Sequence, residues 1–263
     1  MTESRDQGFA LLIVLWTMVL LALLVTGITG TGRSEAQLAT NLRANAQLQA
    51  AADGAVYDVI FHSLANAPRP GETVRGPARI VVEDEAGKFN PNTASPRLLQ
   101  ALLRHVGVTN GPAVSLAATI ADWRDDNSTR SAGGAKAADY VAAGKNYGPP
   151  QEAFQSITEL SNVLGMTPEI LVRLAPHLSI YGPAEPQPGV ADPVVAAALR
   201  DVAGDQDTAP AAPSASGSRT LAISVIVSGP NGAHFARRAE VRIGTGDNGP
   251  GYSILTWTAP VPE

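Results

Sequence analysis

The densest group of potential metal ligands in this sequence lies near the middle of the chain. It consists of Asp122, Asp125, Asp126 and Asn127, with Asp139 beyond a glycine-containing stretch. Ca²⁺ takes about six to eight oxygen ligands, which loop carboxylates and main-chain carbonyls supply. The spacing is not that of an EF-hand, because the closing glutamate is absent. The group predicts a calcium site, with a solvated acidic helix end as an equally good alternative.

No catalytic constellation accompanies this group in the sequence. The four histidines stand at positions 62, 105, 177 and 234, without the spacing of metal ligands. The chain has no cysteine, which excludes disulfides and thiolate chemistry. It has neither a G-x-S-x-G nucleophile motif nor a G-x-x-x-x-G-K-[ST] phosphate loop. We therefore expect that the protein is not an enzyme, and calcium is the one cofactor that the sequence suggests.

An apolar run without charged side chains covers residues 9–30. A transmembrane helix needs about 20 such residues. The run follows a short charged leader, residues 1–8, in which Arg5 is the one basic side chain. We therefore predict a single-pass membrane anchor. The alternatives are a secretory signal peptide, a helix buried in a large domain, and an anchor that no peptidase cuts.

Beyond the anchor, the hydrophobic pattern separates helical from strand-like segments. Apolar side chains recur every three or four positions up to about residue 64, which predicts that the helix continues, and prolines at 68 and 70 end it. Short helices are predicted between residues 93 and 181. Strand patterns cover 78–85, 220–228, 233–243 and 252–258, with a hairpin turn at residues 230–232. These strands are expected to form one sheet against the long helix.

Two helix–glycine–helix units within 93–181 suggest a helix-hairpin-helix module, which grips DNA phosphates in other proteins. The turn at residues 107–111 is longer than the tight turn of such modules, and few basic residues flank it: Arg97, Arg104 and His105. The net charge of −5 also disfavours a phosphate-neutralising surface. We expect no nucleic-acid partner. A membrane-tethered periplasmic DNA-binding protein is the alternative function.

The leader and the apolar run together resemble a class III, or prepilin-type, N-terminus. In that family a membrane peptidase cuts after a glycine and methylates the new N-terminal phenylalanine. Those positions are Gly8 and Phe9 in this chain. Most pilins carry glutamate as the fifth mature residue, where this chain has Ile13. The resemblance implies prepilin peptidase as a partner, an anchor in the bacterial inner membrane and a C-terminal domain in the periplasm.

Residues 5–180 resemble the K-type minor pseudopilins of type II secretion, which also lack that glutamate. Residues 84–92, Asp-Glu-Ala-Gly-Lys-Phe-Asn-Pro-Asn, are similar to the family's D-E-x-G-K-φ-N-x-N segment, in which φ is apolar. The acidic group is similar to the family's D-W-x-D-x-D … G-A-E-x-x-x-Y pattern, which binds calcium. Lys136 stands where the family has Glu, and Asn127 where it has Asp. Both changes remove negative charge.

This resemblance implies an α+β fold: a pilin-like long N-terminal helix on an antiparallel sheet, with a large inserted all-α domain. It implies a structural subunit at the tip of the periplasmic pseudopilus. That subunit would assemble with other minor pseudopilins and support export of folded proteins across the outer membrane. The expected segments are a leader (1–8), the transmembrane half of the helix (9–30), the rest of the helix with the first strands (31–92), the helical domain (93–181), a linker or loop rich in Pro, Ala and Gly (182–217), and C-terminal strands (218–263). Within the linker, residues 194–202 are a candidate for a brief helix.

Overall fold

The computed structural model describes residues 4–66, 70–204, 218–244 and 251–260, with side chains of the first helix given for residues 9, 11–25 and 35–65. Residues 1–3 of the predicted leader and 205–217 of the predicted linker lie outside this description. The elements in chain order are α1 (Ser4–Ala65), β1 (Gly71–Arg75), β2 (Ala78–Asp84), α2 (Pro96–His105), α3 (Asn110–Arg124), α4 (Ala137–Ala142), α5 (Pro168–Leu174), α6 (Pro193–Ala203), β3 (Arg219–Ser228), β4 (His234–Ile243) and β5 (Tyr252–Thr258).

Helix α1 is one continuous helix of 62 residues, as the unbroken pattern predicted. At about 1.5 Å per residue it is roughly 90 Å long. Its described side chains up to residue 47 are exposed, apart from the half-exposed Ala44. Its last turns bury one stripe at intervals of four residues, formed by Leu48, Ala52, Val56 and Ile60.

The predicted anchor lies in the exposed half of α1. Among the residues whose side chains are described, no helix is long and apolar enough to cross a membrane. Residues 26–30 of the predicted anchor lie outside that set. The anchor therefore stays a prediction.

The sheet has five antiparallel strands in the order β1-β2-β3-β4-β5. A short 3-10 turn, Pro230–Gly232, connects β3 to β4 where the sequence predicted a hairpin. One sheet face covers the buried stripe of α1 with Ile80, Val82, Ile223, Val225 and Val241. The α+β prediction, with a long helix on an antiparallel sheet, is confirmed.

A partly buried ion pair, in which the arginine is the buried partner, joins α1 to the sheet beside this apolar layer. The Nε atom of Arg237 lies 2.6 Å from Oδ1 of Asp53. The Arg237 side chain is 7% exposed, and its guanidinium lies over two aromatic rings. The guanidinium carbon is 5.1 Å from the ring centre of Phe235 and 5.2 Å from that of Trp257. The pair fixes which turn of the helix faces which residue of β4.

The helical domain is inserted between β2 and β3, which are neighbours in the sheet. It has a core of its own, which includes Phe89, Leu102, Ile120, Tyr140 and Phe154. The core beneath α1 is a separate cluster. The protein thus has two hydrophobic cores connected at one end of the sheet.

The inserted domain continues beyond the predicted boundary at residue 181. Helix α6 lies within the predicted linker and buries Val195 and Ala198 in the core of the helical domain. Asp192 caps this helix, since its Oδ1 accepts hydrogen bonds from the amides of Val194 and Val195. The sequence predicted a linker here with a brief helix at residues 194–202 as a candidate, and the structure has that helix. Pro193 follows the cap at a position where proline starts a helix.

We expect Asp53→Ala to lower the free energy of unfolding by about 2–3 kcal/mol, because it leaves the Arg237 charge buried without its partner. Urea unfolding of the full chain in detergent micelles measures this. The matched control is Glu72→Ala, which breaks the exposed Arg79–Glu72 pair and should have a much smaller effect, because solvent screens exposed ion pairs. Equal losses in the two variants would contradict the assigned role of the buried pair.

Candidate functional site

The segment 84–92 is the junction between the two cores. Asp84 ends β2, forms an ion pair with Arg219 of β3, and accepts a hydrogen bond from the Ala86 amide at 3.0 Å. That bond caps a 3-10 turn, Glu85–Gly87. The sheet therefore ends at a buried carboxylate that also starts the inserted domain.

Lys88 holds the acidic side chains that precede it. Its Nζ atom is 2.8 Å from a Glu83 carboxylate oxygen and 3.0 Å from one of Glu85. Burial alone would lower the pKa of the Lys88 ammonium, but the Glu85 and Glu83 carboxylates together raise the pKa above its ordinary value. The two glutamates differ in burial, since Glu83 is exposed, whereas Glu85 is buried against this lysine.

Gly87 is required by a close approach of the chain that returns from the helical domain. A Cβ atom at this position would collide with the carbonyl oxygen of Val190. The Gln187 amide donates a hydrogen bond to the Ala86 carbonyl at 2.7 Å, so the returning chain lies directly on the 3-10 turn. The glycine of the motif thus permits backbone-to-backbone packing.

Two asparagines of the motif satisfy buried backbone groups of distant segments. The Asn90 side-chain amide donates to the carbonyls of Ile180 and Gly182, at 3.3 and 2.9 Å. The Asn92 side chain donates to the Phe154 carbonyl at 3.0 Å and accepts from the Phe154 amide at 2.7 Å. Both therefore act as clamps that close the helical domain on its entry segment.

The Asn92 clamp places Phe154 in an aromatic cluster. The Phe154 ring stacks on Trp123, with ring centres 6.0 Å apart and planes 6° from parallel. The ring centre of Tyr140 lies 5.9 Å from that of Trp123, and the Tyr140 hydroxyl accepts a hydrogen bond from the Leu164 main-chain amide. Burial raises the pKa of Tyr140 to about 12. The family pattern of the acidic group includes this tryptophan and tyrosine, whose packing role the sequence did not reveal.

The predicted calcium ligands lie in one region, but their carboxylates face different partners. Asp122 is buried and accepts hydrogen bonds from the Ser131 hydroxyl at 2.6 Å and from the Ser131 amide. Asp139 accepts from the Lys136 amide at 2.9 Å and pairs with Arg130 at 2.7 Å. The Lys136 amide and the Arg130 guanidinium lower the pKa of Asp139.

The remaining predicted ligands are exposed. Asp125 accepts a hydrogen bond from the Asn127 amide, and Asn127 accepts one from the Thr129 amide, as in ordinary loop turns. Asp126 is exposed beside them. Within the described part of the chain, no three or more His, Asp or Glu side chains lie close enough together to hold a metal ion.

Lys136 takes the position between these acidic residues. Its Nζ atom donates to the main-chain carbonyls of Asp122 and Asp125, at 2.9 and 2.8 Å. These carbonyls are oxygens of the kind that calcium needs, but an ammonium already lies on them. The residues present therefore do not fit the calcium site that the sequence predicted. The sequence indicated that Lys136 changes the charge, but not that its ammonium binds the backbone.

The first residues of the hairpin between α2 and α3 use their backbone amides within the fold. The amides of Val106, Gly107 and Val108 donate to the carbonyls of Leu102, Arg104 and Leu103. Val106 and Val108 are also buried in the helical core. DNA-binding hairpins present free amides at such a turn, so this geometry gives no support to the nucleic-acid alternative.

We expect Asn92→Ala to lower the free energy of unfolding by about 3 kcal/mol, because it leaves the buried amide and carbonyl of Phe154 unpaired. Thermal unfolding followed by near-UV circular dichroism, which reports on the Trp123–Phe154 stack, measures the loss. Asn127→Ala is the control, since Asn127 bonds one amide in an exposed loop, and its effect should stay within about 0.5 kcal/mol. Similar losses in both variants would refute the clamp.

The comparisons with known proteins agree with this architecture. Residues 78–184 match the family model described as type II secretion system (T2SS), protein K. No curated protein matches the chain in sequence.

In three dimensions the chain is similar to a chain in the crystal structure of the GspK–GspI–GspJ complex from the type 2 secretion system of enterotoxigenic Escherichia coli. The TM-score is 0.60 at 17% identity, and the match covers 88% of this chain and 100% of the other. This likeness shows the shared fold. Residues 78–184 thus match the protein K family of the type II secretion system, in agreement with the resemblance of the sequence to the K-type minor pseudopilins.

Proposed function

We propose that this protein is a structural minor pseudopilin at the tip of the periplasmic pseudopilus, where it supports export of folded proteins across the outer membrane. The observation that carries the proposal is the protein K match on a helical domain that is inserted in a pilin-like head. The role is one of assembly rather than catalysis. The partners are other minor pseudopilins, and the solved complex that contains the similar chain supports this choice.

The exposed half of α1 supports a membrane anchor. Phe9 and residues 11–25 carry apolar side chains almost without interruption, and all of them are exposed. A soluble helix would show a polar face, whereas a helix that is apolar all round requires lipid or other helices to cover it. We place this helix in the inner membrane after cleavage between Gly8 and Phe9, with the sheet and the helical domain in the periplasm.

Two features support a place at the tip. In pilins, the glutamate at the fifth mature position is thought to pair with the N-terminal amine of the neighbour above, within the membrane. This chain has Ile13 there and cannot form that pair. A subunit without a neighbour above does not need this glutamate, because there is no N-terminal amine of a neighbour in the membrane for it to pair with. The inserted domain also adds bulk that a helical shaft would have to accommodate.

We expect the mature protein to begin with N-methylated Phe9, and mass spectrometry of the N-terminus in cells with prepilin peptidase measures this. Gly8→Val should leave the leader attached, since it fills the position next to the cut. Gly27→Val is the control and should be processed normally. A mature chain that begins after Thr31 or Gly32 would instead indicate a secretory signal peptide and contradict the anchor.

We expect single cysteines on the exposed face of α1 to cross-link to other minor pseudopilins. Leu38→Cys and Leu42→Cys suit this test, because those positions are 59% and 63% exposed and the chain has no cysteine of its own. The fully buried Ala52, changed to cysteine, is the control that should not link. Abundant links to the major shaft subunit, both above and below this protein, would refute the tip position.

A further inference from the structure

The C-terminal end of α3 is held by a buried ammonium. Lys136 is 8% exposed, and its Nζ atom donates to the carbonyls of Asp122 and Asp125. The last carbonyls of a helix have no partner within the helix, and they lie at the negative end of the helix dipole. A lysine ammonium satisfies both needs, because it supplies hydrogen-bond donors and a positive charge.

The acidic side chains around this ammonium are already satisfied by the loop itself. The Asp122 carboxylate accepts from the amide and the hydroxyl of Ser131, and Gly134 leaves room for that carboxylate because a Cβ there would collide with it. The Asp139 carboxylate binds the Lys136 amide and the Arg130 guanidinium. A calcium ion would have to break these bonds to collect its oxygens.

The charge of the loop leads to the same result. Lys136 and Arg130 carry the same total positive charge as one Ca²⁺ ion, and both contact the acidic segment. A calcium ion on the Asp122 and Asp125 carbonyls would lie within a few ångströms of the ammonium, where like charges repel strongly at low dielectric. The ammonium and calcium are therefore alternatives for one position.

We propose that the Lys136 ammonium is a permanent internal cation, which takes the place of the calcium ion that the family pattern implies. It fastens the loop 125–136 to the end of α3 and makes the stability of the helical domain independent of calcium. Lys136 is thus a positioning residue for this loop, and the proposal does not depend on where the protein lies in the pseudopilus.

The test is the thermal unfolding of the full chain in detergent micelles, with excess EGTA and with millimolar calcium chloride. The wild-type midpoint should differ by less than about 1 °C between the two solutions, because calcium does not bind the native state. Lys136→Met removes the ammonium but keeps the apolar stem, and its midpoint should fall by about 3–8 °C in both solutions. Lys145→Met changes an exposed lysine of the same domain and should leave the midpoint unchanged.

Lys136→Glu gives a readout that a purely packing role would not produce. This variant replaces the ammonium with a carboxylate, so its midpoint should be low in EGTA and rise as calcium is added. If Lys136→Glu does not fold in EGTA, isothermal titration of calcium chloride into the wild type tests the proposal instead. We expect no binding heat in that titration. A wild-type midpoint that rises with calcium, an unchanged midpoint in Lys136→Met, or a folded Lys136→Glu that ignores calcium would overturn the proposal.

Discussion

The end of β2 and the start of β3 must stay paired, because the whole helical domain is inserted between them. Asp84 and Leu221 stand opposite each other in the ladder, and the Asp84 carboxylate binds Arg219 of the neighbouring strand. Removing one partner of such a buried pair leaves a charge without compensation. The pair therefore keeps the two connections of the insert together. The domain can then be large without separating the strands that carry it.

The motif segment 84–92 brings the entering and returning chains together at this point. Phe89 forms a bridge with Leu178, Asn90 binds the carbonyls of residues 180 and 182, and Gly87 lets the chain near Val190 approach. These contacts connect residues about 90 positions apart. Hydrogen bonds to the backbone thus close the helical domain at its base. They hold the two hydrophobic cores in place relative to each other although the cores are separate.

The sequence predicted the elements with strong periodicity and missed those that depend on partners. The unbroken helical pattern to about residue 64 predicted α1, because no proline interrupts it. Strand β1 gave no signal, since all of its side chains are exposed. Residues 194–202 were a candidate for a brief helix, but the prolines around them concealed that α6 belongs to the helical domain. The motif 84–92 was recognised by resemblance, but residue types alone did not reveal that Asn92 binds Phe154.

The acidic group shows why a ligand set cannot be judged from residue types alone. Five oxygen-bearing side chains near one helix end are a fair calcium pattern, but each carboxylate takes whichever donor the backbone brings nearest. Here Asp122 accepts a hydrogen bond from Ser131, and Asp139 accepts from Arg130 and the Lys136 amide, so the carboxylates do not converge on one cation position. The ammonium then takes the carbonyls that remain. A cation that is covalently attached costs no binding entropy and cannot be lost to chelators or dilution. The helix end gains a fixed partner where an exchangeable ion would tie its stability to the surrounding solution.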